Sequence, residues 1–186
     1  MIKVLQNPNT EHYQVFKEWV LGTDFFWTYV ELGGVKFKSP AYKSYFNEQN
    51  KKEEGLGVPF YTRVFLRRPE ILQYPSLHHA ASEEVDAAVR VMKEILDYNN
   101  VEMNCILRLA VNAVHPFQPI RKALPHHDHH FDHKNFIIYL TDAGGRTFCE
   151  GKEHDPKEDD AIVFEGEHYM ETPAENRRVI LVATMI

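Results

Sequence analysis

Apolar residues fall at helical spacing in two stretches before residue 100, and after that they form short strand-like runs. The first helical stretch is EHYQVFKEWVL, introduced by Asn9 and Thr10 as capping residues, with Val15, Trp19 and Val20 as its apolar positions. The second starts at Ser82, an N-cap with Glu83 and Glu84 in the first turn, and ends at Asn99 and Asn100. Its stripe is Val85, Ala88, Val89, Met92, Ile95 and Leu96, which predicts a helix packed on a core. Phe25 to Leu32, closed by Gly33 and Gly34, and Pro59 to Leu66 read as strands. Between them, residues 35–57 are polar and read as a connecting loop, with a lid as the functional alternative. Pro69 to Pro75 is irregular, and His78 and His79 lie near the helix start without an assigned role.

From residue 103 the pattern predicts strands over Met103 to Val114, Lys134 to Thr141, Arg146 to Glu150, Ala161 to Glu165 and Arg177 to Ile186. A proline-punctuated loop, HPFQPIRKALP, and a polar loop, GKEHDPKEDD, separate some of them. Helices first and many short strands afterwards predict a mainly β (α+β) domain, a sandwich or barrel with N-terminal helices packed on one sheet. The 186 residues suffice for a single domain, with residues 1–102 as support and lid and residues 103–186 as the β core.

Composition narrows the classes. A net charge of −6 gives no general attraction to nucleic acid or membranes. No apolar run approaches the roughly 20 residues that span a bilayer. The start, MIKVLQNPNT, lacks the apolar core of a secretory signal. Both cysteines, Cys105 and Cys149, sit in apolar runs and read as reduced core residues of a cytoplasmic protein.

The chemistry concentrates in LPHHDHHFDHKNFIIYL, residues 124–140, which holds five histidines and two aspartates. Imidazole and carboxylate packed this densely before a buried strand point to a metal site. On extended chain, residues i and i+2 share a face. His126 with Asp128, and His130 with Asp132, both satisfy that spacing. A third ligand must come from elsewhere, and His154 and His168 are the downstream candidates. His168 follows the strand AIVFE, whereas His154 lies in a charged loop where a solvated ring is expected. Two histidines and one carboxylate leave open coordination positions, the arrangement of non-haem Fe(II) oxygenases, whereas a structural zinc site would be closed. If a 2-oxo acid is the electron source, its distal carboxylate needs a cation. Arginine suits that role, and Arg177 and Arg178 open the last strand on opposite faces.

In order, the chain reads Leu107 to Asn112, Pro125-His126-His127-Asp128, Phe136 to Asp142 with Tyr139, Gly144 to Thr147, Val163-Phe164 before His168, then Arg178-Val179. Over roughly residues 103–186 this set resembles the 2-oxoglutarate- and Fe(II)-dependent dioxygenases, in particular the small phage, bacterial and marine members related to prolyl 4-hydroxylases. The resemblance implies a double-stranded β-helix, a jelly roll. It implies His126, Asp128 and His168 as iron ligands, Arg178 as the grip on the 5-carboxylate of 2-oxoglutarate, Tyr139 as a second group on that carboxylate, and Asn112 against co-substrate or substrate. The implied cofactors are Fe(II), with 2-oxoglutarate and O2 as co-substrates. The implied activity is hydroxylation of a small-molecule or peptidyl C–H, prolyl among the candidates. Two departures stand out. Ile180 replaces the serine of an Arg-x-Ser pattern, which leaves the hydroxyl partner to Tyr139 or Thr172. His127 fills a position often apolar, so His130 and Asp132 fit the same local pattern.

The other readings are a cupin-like metalloenzyme that uses no 2-oxo acid, and a non-catalytic jelly-roll binding module. His127, His129, His130 and His133 are expected to line the mouth or face solvent, with His133 a candidate partner to a ligand. Arg121 and Lys122 are expected in solvent, and Phe26 and Trp27 in the core.

Overall fold

The computed structural model of the chain describes residues 1–30, 58–68 and 83–186. The end of the strand expected at Phe25 to Leu32, the lid candidate 35–57, Pro69 to Pro75, His78, His79 and the cap at Ser82 lie outside the described residues. Among the described residues two helices are present: α1 (Glu11–Leu21) and α2 (Glu83–Tyr98). The strands are β1 (Lys3–Leu5), β2 (Thr28–Val30), β3 (Phe60–Leu66), β4 (Ile106–Val114), β5 (Lys134–Tyr139), β6 (Thr147–Cys149), β7 (Lys152–His154), β8 (Ala161–Phe164), β9 (His168–Met170) and β10 (Arg178–Met185).

Among the described residues seven strands form one antiparallel sheet in the order β1-β8-β5-β10-β4-β3-β2, and three form a smaller sheet in the order β7-β6-β9. Isolated bridges join Lys122 to Glu171 and His126 to His168, so residues 122–126 act as a fourth member of the small sheet beside β9. From β4 onward the chain crosses repeatedly between the sheets: β4 in the large, 122–126 in the small, β5 in the large, β6 and β7 in the small, β8 in the large, β9 in the small, β10 in the large. That alternation is the double-stranded β-helix, the expected jelly roll.

Strand alternation splits the large sheet into two chemistries. One face carries Leu109, Val111, Phe136, Ile138, Val179 and Leu181, and it packs against Phe16 and Val20 of α1 and Met92, Ile95 and Leu96 of α2. The other face carries Ala110, Ile137, Tyr139, Ile162, Phe164, Ile180 and Val182, and packs with Cys149 of the small sheet. All eight residues of β10 are buried, which fits a central strand covered on both sides.

Several sequence expectations need correction. Thr10 caps α1 by accepting the Tyr13 amide at 3.2 Å, but the buried stripe is Tyr13, Phe16 and Val20, while Val15 faces solvent. Tyr13 and Phe16 fill that face because the Tyr13 hydroxyl reaches Asp159 and the Phe16 ring meets Phe65. Phe25 is buried, Phe26 is exposed and Trp27 is partly buried against the core. β4 begins at Ile106, so Cys105 precedes the strand and is exposed; Cys149 is buried as expected. β1, β7 and β9 were not anticipated, since three-residue strands are too short to show a period. Among the described residues no helix is long and apolar enough to cross a membrane.

Candidate metal centre

His126 and His168 are set opposite each other by the backbone. Each donates its amide to the other's carbonyl at 3.0 Å, and their rings lie 4.5 Å apart between centroids. Their Nδ1 atoms are tied to main-chain carbonyls, His126 to Leu124 O at 2.9 Å and His168 to Gly166 O at 3.2 Å. A carbonyl only accepts, so each neutral ring carries its proton on Nδ1 and offers the Nε2 lone pair. Asp128, two residues after His126, is 3% exposed, and its Oδ2 is 3.4 Å from His168 Nε2. One ligand atom from each of His126, Asp128 and His168 lies within 4.8 Å of the others, and no other such group of three occurs among the described residues. His130 and Asp132, the alternative pair, are both exposed and are not gathered with His168.

Asp128 is held by arginines from two other parts of the chain. Arg68, just past β3, donates to Asp128 Oδ1 and, at 2.8 Å, to its main-chain carbonyl; Arg108 of β4 approaches Oδ1 at 3.6 Å. Both guanidiniums engage Oδ1, and Oδ2 is left toward the histidines. Burial alone would raise the Asp128 carboxyl, but Arg68, His168 and Arg108 hold it well below the usual carboxylate range. Burial, then the facing His168, pushes His126 down to about 4. The one detectable signal was Arg108 at i−4 from Asn112, which alternation puts on the same face.

The interior face of the large sheet is ordered in transverse rows. Thr62, Asn112, Ile180 and Tyr139 are aligned across β3, β4, β10 and β5. The Thr62 hydroxyl donates to Asn112 Oδ1 at 2.7 Å, and the Tyr139 hydroxyl meets Thr147 Oγ1 at 2.7 Å. Burial raises the Tyr139 hydroxyl to about 12, against the lowering effects of Thr147 and Arg178, so it remains a donor at neutral pH. Next come Ala110, Val182, Ile137 and Ile162, all apolar. The last row is Arg108, Thr184, Asn135 and Phe164, and the Phe164 ring meets His168 at 4.9 Å.

Arg178 enters this interior beside the first row and is 1% exposed. Its Nη1 donates to Gly145 O at 2.7 Å and Glu171 O at 2.9 Å, its Nη2 faces Met170 Sδ at 2.5 Å, and its buried Nε has no hydrogen-bond partner among the described residues. No carboxylate faces it among the described residues. Burial lowers its pKa, and a nearby Tyr139 acts in the opposite sense. Gly145, at φ +81°, is where a side chain would collide, since a Cβ there would sit 2.7 Å from Arg178 Nη1. Arg177 points the other way and lies over the Trp27 ring at 5.7 Å. Thr172 is buried, but its hydroxyl accepts the Arg121 amide at 2.9 Å. Arg121 stacks on Phe117 at 3.8 Å, so it is less free than expected, whereas Lys122 is exposed.

Two histidine expectations fail. His127 and His130 face solvent, but His129 and His133 are buried, at 1% and 8% exposure. His154 is a strand residue rather than a solvated loop residue, lying 3.3 Å from Asp160 and 5.6 Å, between rings, from Tyr139.

The metal-free centre has a predictable acid response. An unfolded histidine takes up its proton near pH 6.5, while folded His126 resists until about 4. The stability it contributes is therefore complete above pH 6.5 and is lost as pH falls toward 4. Asp128, depressed in the fold, adds a further loss below about 3.9. Urea midpoints measured from pH 8 to 3 should fall faster in wild type than in His126→Gln between 6.5 and 4. Parallel curves across that window would remove His126 as the cause.

No protein-family model matches the chain, and no curated protein matches it in sequence. Solved structures do resemble it. A 2OG-Fe(II) oxygenase family oxidoreductase from Burkholderia pseudomallei aligns at TM-score 0.48 and 12% identity, over 96% of this chain and 92% of that one. A prolyl-4-hydroxylase from Pseudomonas putida aligns at TM-score 0.41 and 14% identity, over 95% and 99%. An HTH_3 family transcriptional regulator from Vibrio cholerae aligns at TM-score 0.34 and 12% identity; the match takes in 42% of this chain and spans 42% of that protein's length.

Proposed function

We propose that the protein is a non-haem Fe(II) dioxygenase that couples 2-oxoglutarate decarboxylation to hydroxylation of a C–H bond. The observation that carries this reading is Arg178: a buried guanidinium that has no carboxylate partner and an unpaired Nε among the described residues, in the same interior as the His126, Asp128 and His168 set. Burying an unpaired charge is costly, and an anionic ligand is the compensation this site lacks.

The donor set fits ferrous iron. Two imidazole Nε2 atoms and one carboxylate oxygen would hold it from one side and leave coordination open. When bound, iron would supply the redox chemistry that uses O2 to convert 2-oxoglutarate to succinate and CO2 and to oxidise the substrate. Arg178 would bind the distal carboxylate through its fork, and the Tyr139 hydroxyl would donate to the same group. Thr62 holds Asn112 Oδ1, which leaves the Asn112 NH2 to face co-substrate or substrate. Arg68 and Arg108 would fix the Asp128 rotamer, as partners behind metal ligands do. The apolar row of Ala110, Val182, Ile137 and Ile162 would exclude water from the interior.

Anaerobic titration of the Fe(II)-loaded protein with 2-oxoglutarate tests this. A visible charge-transfer band should develop in wild type and be missing in His126→Ala. Iron binding without a band would favour the cupin-like reading, and failure to bind iron would refute both.

A further inference from the structure

The last transverse row contains polar groups that the proposed chemistry does not use. Asn135 is 1% exposed, and among the described residues neither its Oδ1 nor its Nδ2 has a hydrogen-bond partner. His133, two residues earlier, gives its Nδ1 proton to Phe131 O at 2.8 Å, and its buried Nε2 has no hydrogen-bond partner among the described residues. The two are linked in space: the His133 ring packs edge-on to His129 at 4.7 Å, His129 Nε2 bonds the Thr184 hydroxyl at 2.7 Å, and Thr184 is the cross-strand neighbour of Asn135. Buried polar groups are nearly always paired, and three orphaned atoms in one cluster call for an explanation. An apolar residue at Asn135 would pack there without that penalty, so the amide is kept at the expense of stability.

The cluster borders the metal centre. Asn135 is paired with Phe164, whose ring meets His168, and Thr184 is paired with Arg108, which approaches Asp128. It lies at the other end of β10 from Arg178, six residues or roughly 20 Å along the strand, so a ligand here would not compete with an anion at Arg178. Phe131, stacked on His129 at 5.0 Å and partly exposed, connects the cluster to the surface.

The orphaned atoms define what would fit. Asn135 Oδ1 and neutral His133 Nε2 are acceptors, and Asn135 Nδ2 is a donor. A primary carboxamide is the complement, with two N–H donors and one carbonyl acceptor; a secondary amide has one donor too few. We infer that Asn135 and His133 form a subsite for a primary carboxamide carried by the substrate, which would hold a neighbouring C–H toward His126, Asp128 and His168. This substrate class rests on the dioxygenase reading above; the carboxamide site itself rests on the orphaned atoms.

The test uses the full-length 15N-labelled protein with acetamide, N-methylacetamide and N-acetylasparagine N-methylamide as probes. The side-chain NH2 resonances of Asn135 should shift and saturate with acetamide. Affinity should fall at least tenfold for N-methylacetamide, and for acetamide in Asn135→Leu and in His133→Phe. In the variants the binding is read from neighbouring backbone amides. Binding of acetamide alone supports a small free carboxamide, and binding of the capped asparagine as well supports a peptide side chain. Asn135→Leu should melt at or above the wild-type temperature; if it does not fold, His133→Phe and the comparison of probes on wild type still decide. Equal shifts with acetamide and N-methylacetamide, or no shift at saturating acetamide, would overturn the subsite and identify the cluster as a water-filled void. The same samples then receive Fe(II) and 2-oxoglutarate. A charge-transfer band without acetamide binding overturns the subsite and leaves the dioxygenase reading; acetamide binding without a band keeps the carboxamide site and removes the oxygenase.

Discussion

Replacing Asp128 with alanine should weaken Fe(II) binding by roughly a hundredfold or more and abolish turnover. Asp128 is the one anionic member of the set, and Arg68 and Arg108 would remain aimed at the vacated position. The variant removes the only negative charge between two guanidiniums and leaves the centre more cationic, which repels a metal ion. It also removes the shared partner of two largely buried guanidiniums, and breaking such a pair costs on the order of 3 kcal/mol. Asp128→Asn separates the two effects, because it preserves packing and hydrogen bonding but not charge. Competition binding of Fe(II) and urea unfolding are the measurements. An Asp128→Ala protein that holds iron as wild type does would take Asp128 out of the ligand set.

Arg178→Met should cost about 2–5 kcal/mol of 2-oxoglutarate binding, which is roughly 30-fold to several thousandfold in Kd. Fe(II) affinity should stay the same, since Arg178 makes no contact with the three proposed ligands. Arg178→Lys should fall between the two. Lysine keeps the charge but lacks the planar fork, and its ammonium would have to replace bonds to Gly145 O and Glu171 O as well. Optical titration of the iron-loaded variants gives both constants. If Arg178→Met binds 2-oxoglutarate normally, the unpaired guanidinium has some other purpose and the carrying observation fails.

Much of this arrangement could be read from the chain because it depends on local spacing. His126 and Asp128 share a face through i, i+2 geometry, and Arg178 and Arg177 part company by the same rule. Tyr139 sits on a run whose β-branched composition marks a buried strand. The long helices and strands were legible for similar reasons. What could not be read depends on pairings distant in sequence. Nothing near Arg68 announces that it will reach Asp128, 60 residues on. Nothing local shows that His129 will be buried against Thr184 of β10, or that His133 will pack on His129. The buried face of α1 was misassigned because Val15 is more apolar by type than Tyr13, yet Tyr13 has Asp159 to receive its hydroxyl. Three-residue strands such as β9 exist only through their neighbours.

The position of β10 also constrains how the molecule comes into being. Of the described strands it is the last to be synthesised, yet it lies between β4 and β5 and pairs with both along most of its length. Until residue 185 has been made, β4 and β5 each present an unpaired edge to the cell, and the two halves of the large sheet have nothing to join them. Nascent chains would therefore be prone to wrong edge-to-edge pairing during that interval. Closure links strands some 70 residues apart, which favours slow folding. Demand for chaperones should accordingly persist until β10 has emerged, and truncations that remove β10 should be found in aggregates rather than as smaller soluble domains.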